Sequence, residues 1–214
     1  MTHGKQPHML LWFGLFLLVL GVACFAADRR AAHFFHDRIH IRIHRRLWRT
    51  TDWAKGARWL IASTLVYAFT ELAVLIFGPR PTLLYTANLA LAFLVSLAVG
   101  SAILHTAKTL LGRRRPRDEL ELKLYGFEPF SFKFQYDSFP SGHALTIFCV
   151  AVIACSVFPQ LALLWFAIAL YLALTRAFLN AHFLSDVFVG SAVGILSTRE
   201  TVIYLFPSLF QSWF

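Results

Sequence analysis

The chain has 214 residues, of which 58% are hydrophobic and 14% are charged, and its formal net charge at pH 7 is +9. This balance excludes an ordinary soluble domain with a polar shell and indicates a polytopic membrane protein. The three cysteines lie within apolar runs and have no CxxC spacing, which argues against a disulfide framework and against a zinc site.

Apolar runs close to the bilayer-spanning length of about 20 residues recur along the chain. They lie near residues 9–27, 59–77, 83–106, 143–158, 161–180 and 185–206. The first resembles a signal sequence, because a lysine precedes it and alanines close it, but it is long enough to span and we interpret it as a retained helix. We therefore predict an all-α fold with six transmembrane helices in a single domain, residues 1–214.

The polar segment 28–58 has the pattern of an amphipathic helix lying in the membrane interface. Its apolar residues at helical spacing are Phe35, Ile39, Ile43 and Leu47. Arginines on the other flank would attract anionic lipids. A metal site stays open as an alternative to a wetted interfacial face, because histidines recur at every fourth position. These histidines are His36, His40 and His44.

Six spans with two short turns place three polar stretches on one face of the membrane. These stretches are residues 28–58, 107–142 and 176–186, and they contain 17 of the 20 lysines and arginines. The positive-inside rule would place this face in the cytoplasm.

Three fixed cations on this face are suited to binding a phosphate. Lys108 and Arg115 are seven positions apart at the end of the third apolar run, and Arg176 ends the fifth. Guanidinium groups bind phosphate oxygens in a bidentate manner, whereas an ammonium group acts as a point charge. Gly112 and Pro116 predict that the helix gives way to a loop between the first two cations. Taken alone, Lys108 and the basic stretch from Arg113 to Arg117 also fit a basic helix end facing lipid head groups.

Two further clusters supply the groups that a phosphoryl transfer needs. Pro140, Ser141, Gly142 and His143 open the fourth apolar run, where a helix N-terminus and a hydroxyl bind an anion and the imidazole can donate a proton. His182 and Asp186 are four residues apart and are predicted to share one helix face. An aspartate that accepts from one imidazole nitrogen leaves the other nitrogen free to attack.

The order and spacing KxxxxxxRP, PSGH and RxxxxxHxxxD resemble the motifs of the type 2 phosphatidic acid phosphatase (PAP2) family. Thr175 stands where many members have serine, which keeps a hydroxyl. The resemblance covers residues 108–186 at the motif level and implies an integral-membrane lipid phosphatase that needs no metal or other cofactor. It implies His182 as the nucleophile, Asp186 as its orienting partner and His143 as the acid for the leaving group. The groups that it implies for phosphate binding are Lys108, Arg115, Ser141, Gly142 and Arg176.

Relatives of this compact size act on phosphatidylglycerophosphate, undecaprenyl diphosphate or phosphorylated lipid A, and their sites usually face the periplasm from the inner membrane. We adopt that orientation on the resemblance, against the charge count. The basic segment 28–58 mildly favours lipid A or a diphosphate, and no nucleic-acid partner is expected. The sequence leaves the oligomeric state open. A transporter or lipid-binding protein is the alternative of another class, and a vanadium-dependent haloperoxidase is the alternative within the enzymes.

Overall fold

The computed structural model describes residues 7–130 and 134–209, and over these ranges it consists of helices and connecting turns, without a named strand. The helices are α1 (Pro7–Cys24), α2 (Asp28–Arg38), α3 (Ile41–Thr50), α4 (Gly56–Phe77), α5 (Pro81–Leu111), α6 (Pro116–Leu122), α7 (Gly142–Val157), α8 (Ala162–Phe178) and α9 (Leu184–Leu205). Short 3₁₀ turns occupy Thr51–Ala54, Phe134–Tyr136, Pro159–Leu161 and Pro207–Leu209. The all-α prediction is confirmed.

Each predicted apolar run corresponds to one helix, namely α1, α4, α5, α7, α8 and α9 in chain order. Three stretches are long and apolar enough to cross a membrane unaided: Ile41–Phe77, Pro81–Leu111 and Pro159–Phe178. A fourth is added if α1 and α2 are taken together, although they meet at 84°. The apolar helix α7 has only 16 residues. The chain is a polytopic membrane protein, and the count of six spans is approximately consistent with this structure.

Helix α9 lies at the centre of the bundle, where it packs against α1, α5, α7 and α8. It runs antiparallel to α1, since Gly14 lies against Leu196 whereas Gly21 lies against Val189. The peripheral helix α4 packs mainly on α5 and buries only Thr70. An apolar surface of this kind is stable only against lipid.

The predicted single amphipathic helix over 28–58 is wrong in its continuity. The helix breaks between α2 and α3, where Ile39 is extended and His40 caps the next helix by accepting the Arg42 N–H at 3.3 Å on Nδ1. Helix α2 lies across the end of α1, as an interfacial helix would, whereas α3 belongs to the same long helical stretch as α4. Leu47 is buried, but Ile43 is 50% exposed.

Candidate active site

The first cluster, which comprises Lys108 and Arg115, is positioned by the end of α5. Gly112 adopts a left-handed conformation with φ of +55°, and its N–H donates to the Lys108 carbonyl at 2.8 Å. Glycine adopts this conformation at no steric cost, so the helix stops there and the chain turns towards Arg115, the N-cap of α6. The predicted change from helix to loop is confirmed.

Asp137 holds the two cations of this cluster together. Lys108 Nζ forms an ion pair with the Asp137 carboxylate and donates to its backbone oxygen at 2.7 Å. Arg115 Nη2 lies 3.5 Å from Asp137 Oδ2. The structure thus brings Lys108 and Arg115 to one point, where an acidic oxygen already lies between them. Sequence reasoning missed Asp137, because a carboxylate in a loop 29 positions from Lys108 carries no signal of such a contact.

The second cluster forms the start of α7. Ser141 is fully buried, caps the helix by accepting from the Ala144 N–H at 3.5 Å, and donates its own N–H to the Asp186 carbonyl at 2.9 Å. A methyl group added at Gly142 would meet nothing within 4 Å, so there is open space beside the helix N-terminus. His143 Nε2 is buried without a hydrogen-bond partner in the described part of the chain. An anion at this point would meet both groups.

Arg176 reaches the site from the last turn of α8. It is 9% exposed, and its Nη1 lies 3.5 Å from the hydroxyl of Thr51, which also accepts from Thr175 at 2.9 Å. The Arg176 carbonyl accepts the N–H of His182 at 3.2 Å. The charge of Arg176 acts on the His143 imidazole, as do those of Arg115 and Lys55. Arg176 therefore contacts the turn before α4 and the third cluster, which comprises His182 and Asp186, and its charge acts on the second cluster.

His182 lies in the turn before α9 and not on the helix, because Phe183 is the extended N-cap residue. The imidazole is 5% exposed, and its Nδ1 lies 2.7 Å from the Ser138 carbonyl. A carbonyl oxygen only accepts, so Nδ1 carries the proton and Nε2 keeps its lone pair. Burial lowers the pKa of His182, and Asp186 opposes that shift. The ring is thereby kept neutral, as a nucleophile requires.

The expected direct hydrogen bond between His182 and Asp186 is not formed, because Nδ1 and Oδ2 are 3.7 Å apart. Oδ2 instead accepts from Ser138 Oγ at 2.6 Å and from the Phe183 N–H at 2.8 Å. Asp186 therefore acts on the imidazole through its charge and through Ser138, whose carbonyl fixes the tautomer. Ser138 was missed by sequence reasoning because a serine in a loop carries no signal of such a contact.

The other oxygen of Asp186 is bound by an arginine that sequence reasoning had assigned to a general basic stretch. Arg113 Nη1 lies 2.6 Å from Oδ1, and its Nη2 lies 2.7 Å from Asp28. All three side chains are inaccessible to solvent. A buried network therefore supports the third cluster from behind.

Two other predictions concern metals. Within residues 7–130 and 134–209, no group of three or more His, Cys, Asp and Glu side chains is arranged to hold a metal ion. The break before α3 also removes His36, His40 and His44 from a common helix face.

Comparisons with known proteins find sequence similarity over the part of the chain that contains the three motifs. A profile of the PAP2 superfamily matches residues 89–209, more than half of the chain. The lipid A 1-phosphatase of Rhizobium etli is 35% identical over 104 residues, which cover 48% of this chain and 45% of that protein. The lipid A 1-phosphatase of Rhizobium johnstonii is 34% identical over 113 residues, which cover 52% of this chain and 46% of that protein. The chain spans about half the length of these curated relatives.

Two crystal structures share the fold. That of Aquifex aeolicus LpxE has a TM-score of 0.57 at 17% identity and covers 83% of this chain and 96% of its own. A transmembrane PAP2 type phosphatidylglycerolphosphate phosphatase from Bacillus subtilis has a TM-score of 0.60 at 19% identity, with 94% and 96% covered. At such identities the likeness shows the fold. Since the profile spans all three motifs and the fold agrees, the chain belongs to the PAP2 superfamily.

Proposed function

We propose that the chain is an integral-membrane phosphatase that hydrolyses the phosphate monoester or diphosphate of a lipid through a phosphohistidine at His182. The observation that carries the proposal is the neutral imidazole of His182, held with its protonated nitrogen on the Ser138 carbonyl, at a face where fixed cations gather. Membership of the PAP2 superfamily supports the same activity.

In the binding step, the substrate phosphate replaces the carboxylate that now pairs with two of the cations. Lys108 and Arg115 exchange the Asp137 carboxylate for phosphate oxygens, and Arg176 approaches from α8. The hydroxyl of Ser141 and the backbone beside Gly142 bind a further oxygen at the N-terminus of α7. Such preorganised donors stabilise the charge that spreads over the equatorial oxygens in the transition state.

In the chemical step, Nε2 of His182 attacks phosphorus and the bond from phosphorus to the leaving oxygen breaks. His143, protonated once the anionic phosphate lies beside it, gives its proton to that oxygen, which leaves as an alcohol or as a phosphate. The imidazole of His182 becomes cationic, and Asp186 stabilises that charge from 3.7 Å. Water then attacks the phosphohistidine while His143 takes the proton, so the enzyme returns to its starting state with inorganic phosphate released.

The lipid class is inferred from the relatives and from surface charge. Two curated relatives are lipid A 1-phosphatases, and a fold neighbour acts on phosphatidylglycerolphosphate. The arginines of α2 and α3 on the site face favour a strongly anionic head group, such as lipid A or undecaprenyl diphosphate. We place the protein in the inner membrane with its site towards the periplasm. A transporter that binds without hydrolysis finds no support among these relatives.

The test is release of inorganic phosphate by the purified protein from lipid A, phosphatidylglycerophosphate and undecaprenyl diphosphate. We expect turnover of at least one, retained in the presence of EDTA, and at least about a thousand-fold loss of kcat in His182→Ala, as for removal of an enzyme nucleophile. His182→Ala should still bind the lipid. Full phosphate release by His182→Ala would overturn the nucleophile, and loss of activity on chelation would overturn the metal-free mechanism.

A further inference from the structure

Arg113 lies at the centre of a buried ionic cluster that joins the bend between α1 and α2 to the start of α9. Its Nη2 lies 2.7 Å from Asp28 Oδ2 and its Nη1 lies 2.6 Å from Asp186 Oδ1, and each of the three side chains is 0% exposed. A guanidinium is a rigid planar fork, so binding one carboxylate at each terminal nitrogen fixes the distance between them.

Asp28 also binds the first turn of α9 directly. Its Oδ1 accepts the Ser185 N–H at 3.0 Å, and its Oδ2 accepts from the Ser185 hydroxyl. Ser185 Oγ in turn lies 2.6 Å from Arg113 Nη1. Asp28 of α2 thus caps the first turn of α9 at Ser185, the residue directly before Asp186. Asp28 lies outside residues 89–209, which the family profile matches, so the α1–α2 bend adds a part of its own to the site.

Aromatic rings close the cluster on its remaining sides. The Arg113 guanidinium lies 4.2 Å from the ring centre of Phe183 and 4.6 Å from that of Phe25. The Tyr125 hydroxyl accepts from its Nη2 at 3.0 Å. Rings of this kind attract a cation and keep water away, which strengthens the charge interactions inside. The guanidinium is therefore held in one orientation by hydrogen bonds at both terminal nitrogens and by aromatic rings, while its Nε has no hydrogen-bond partner among the described residues.

The cluster decides which way the Asp186 carboxylate faces. With Oδ1 on Arg113, the other oxygen must lie towards Ser138 and His182. Asp28 neutralises part of the positive charge of Arg113, because it pairs with Nη2. Without Asp28, Arg113 would neutralise Asp186 alone and weaken its effect on the imidazole. Without Arg113, two buried carboxylates would face each other across Ser185, and one of them would take up a proton.

We propose that Arg113 and Asp28 are positioning residues for the phosphoryl transfer: Arg113 fixes the carboxylate of Asp186, and Asp28 preserves its negative charge for His182. This inference rests on the proposed function. Stability by itself does not explain the cluster, because a buried ion pair is commonly no more stabilising than apolar side chains of the same volume. Its place directly behind the orienting carboxylate gives it a use in the reaction.

The first test compares Arg113→Lys and Asp28→Asn with the wild type in the same lipid. Loss of a group that orients a reacting one typically costs about 10–100-fold in activity, and we expect that loss in kcat with KM nearly unchanged, since neither residue reaches the phosphate. Arg117→Gln is the matched control, since Arg117 lies in the same segment with its side chain 56% exposed. Wild-type kcat in both variants, or a loss confined to KM, would overturn the proposal.

The second test separates positioning from folding. Arg113→Met combined with Asp28→Leu removes one cation and one anion together, so the net charge of the cluster is unchanged and thermal stability should stay near that of the wild type. We expect kcat to remain low in this variant. Recovery of the full kcat would overturn the proposal, since charge balance alone would then be enough.

A spectroscopic readout keeps this inference distinct from the proposed function. In ¹⁵N-histidine NMR, Asp28→Asn should move the titration of His182 to lower pH, because Asp186 then offers less negative charge, while Arg117→Gln should leave it in place. An unchanged His182 titration in Asp28→Asn would count against the cluster even if the wild type released no phosphate. Absence of phosphate release by the wild type would count only against the proposed function.

Discussion

At the scale of single residues, the surroundings of His182 determine its chemistry. Its Nδ1 is 2.7 Å from a backbone carbonyl, and its ring is nearly inaccessible to solvent. Burial disfavours the charged imidazolium and so lowers the pKa of this residue, while Asp186 opposes the shift without reversing it. The neutral imidazole with Nδ1 protonated is thus the resting form of the group proposed to attack phosphorus.

A pH titration of His182 follows from this. Because its pKa lies below the ordinary histidine value of about 6.5, His182 should stay mostly neutral at pH 6.5 and gain its proton only at lower pH. We expect ¹⁵N-histidine NMR of the purified protein to show an Nδ1–H tautomer at pH 6.5, assigned by the signal lost in His182→Gln. Free N-acetylhistidine in the same buffer is the control. A midpoint at or above that of the control would contradict the burial argument.

The residues of the site differ in how far sequence could identify them. His182, His143, Lys108, Arg115 and Arg176 belong to spaced motifs, so their types and intervals pointed to phosphate chemistry. The supporting contacts were not predictable, because they join distant parts of the chain. Arg113 bonds to residues 73 and 85 positions away. In sequence it is one of several neighbouring arginines, and only the packing of α2 and α9 shows that it is buried.

At the scale of helices, the contact between α7 and α9 sets the geometry of the site. A methyl group added at Gly190 would lie 2.4 Å from the Ser141 carbonyl oxygen, and one added at Gly194 would lie 2.5 Å from that of Leu145. The backbones of α7 and α9 are therefore in contact close to the site, at Ser141 and Gly190 and again at Leu145 and Gly194. This approach allows the Ser141 N–H to reach the Asp186 carbonyl at 2.9 Å.

Gly190→Ala should separate these two helices and disturb both the second and third clusters. The new methyl group meets backbone, which cannot turn aside, so we expect a loss of about 1–3 kcal/mol in stability, as for overpacked cores, together with a fall in kcat. Thermal unfolding in detergent and phosphate release measure the two effects. Gly14→Ala is the matched control on α1, because its methyl group meets the movable side chain of Leu196. Equal effects of the two substitutions would contradict this account.

The helices were largely predictable from hydropathy, since each apolar run became one helix. The break between α2 and α3 was not, because the apolar spacing of Phe35, Ile39, Ile43 and Leu47 continues through it. A local contact outweighs the periodicity there: the His40 side chain accepts a backbone N–H and starts a new helix. Periodicity reports which residues could share a face, whereas capping decides where a helix stops.

At the scale of the whole molecule, two opposite faces can be distinguished. The site face contains the end of α5, the start of α7 and the start of α9. On the other face, the Tyr85 hydroxyl at the start of α5 donates to the Ser156 carbonyl at the end of α7, at 2.8 Å. The predicted convergence of the polar stretches on one side agrees with these contacts. The distribution of lysines and arginines and the family resemblance disagree on whether that side faces the cytoplasm or the periplasm.

The positive-inside rule counts lysines and arginines near membrane helices, and most of them lie on the site face. Several of these cations are needed there by the proposed reaction on either side of the membrane: Lys108, Arg115 and Arg176 bind phosphate, and Arg113 holds Asp186. Their positions reflect chemistry as well as insertion, so the count is a weaker guide for this chain. We therefore predict a periplasmic site, as proposed from the family resemblance, with the turn at Arg80 in the cytoplasm.

Cysteine labelling in intact cells tests this orientation. In a variant without the three native cysteines, a single cysteine at exposed Glu121 should react with a membrane-impermeant maleimide, whereas one at exposed Arg80 should react only after the cells are opened. Each position serves as the control for the other. The reverse pattern would place the site in the cytoplasm, and the charge of the site face would then follow the insertion rule, with substrates drawn from the inner leaflet.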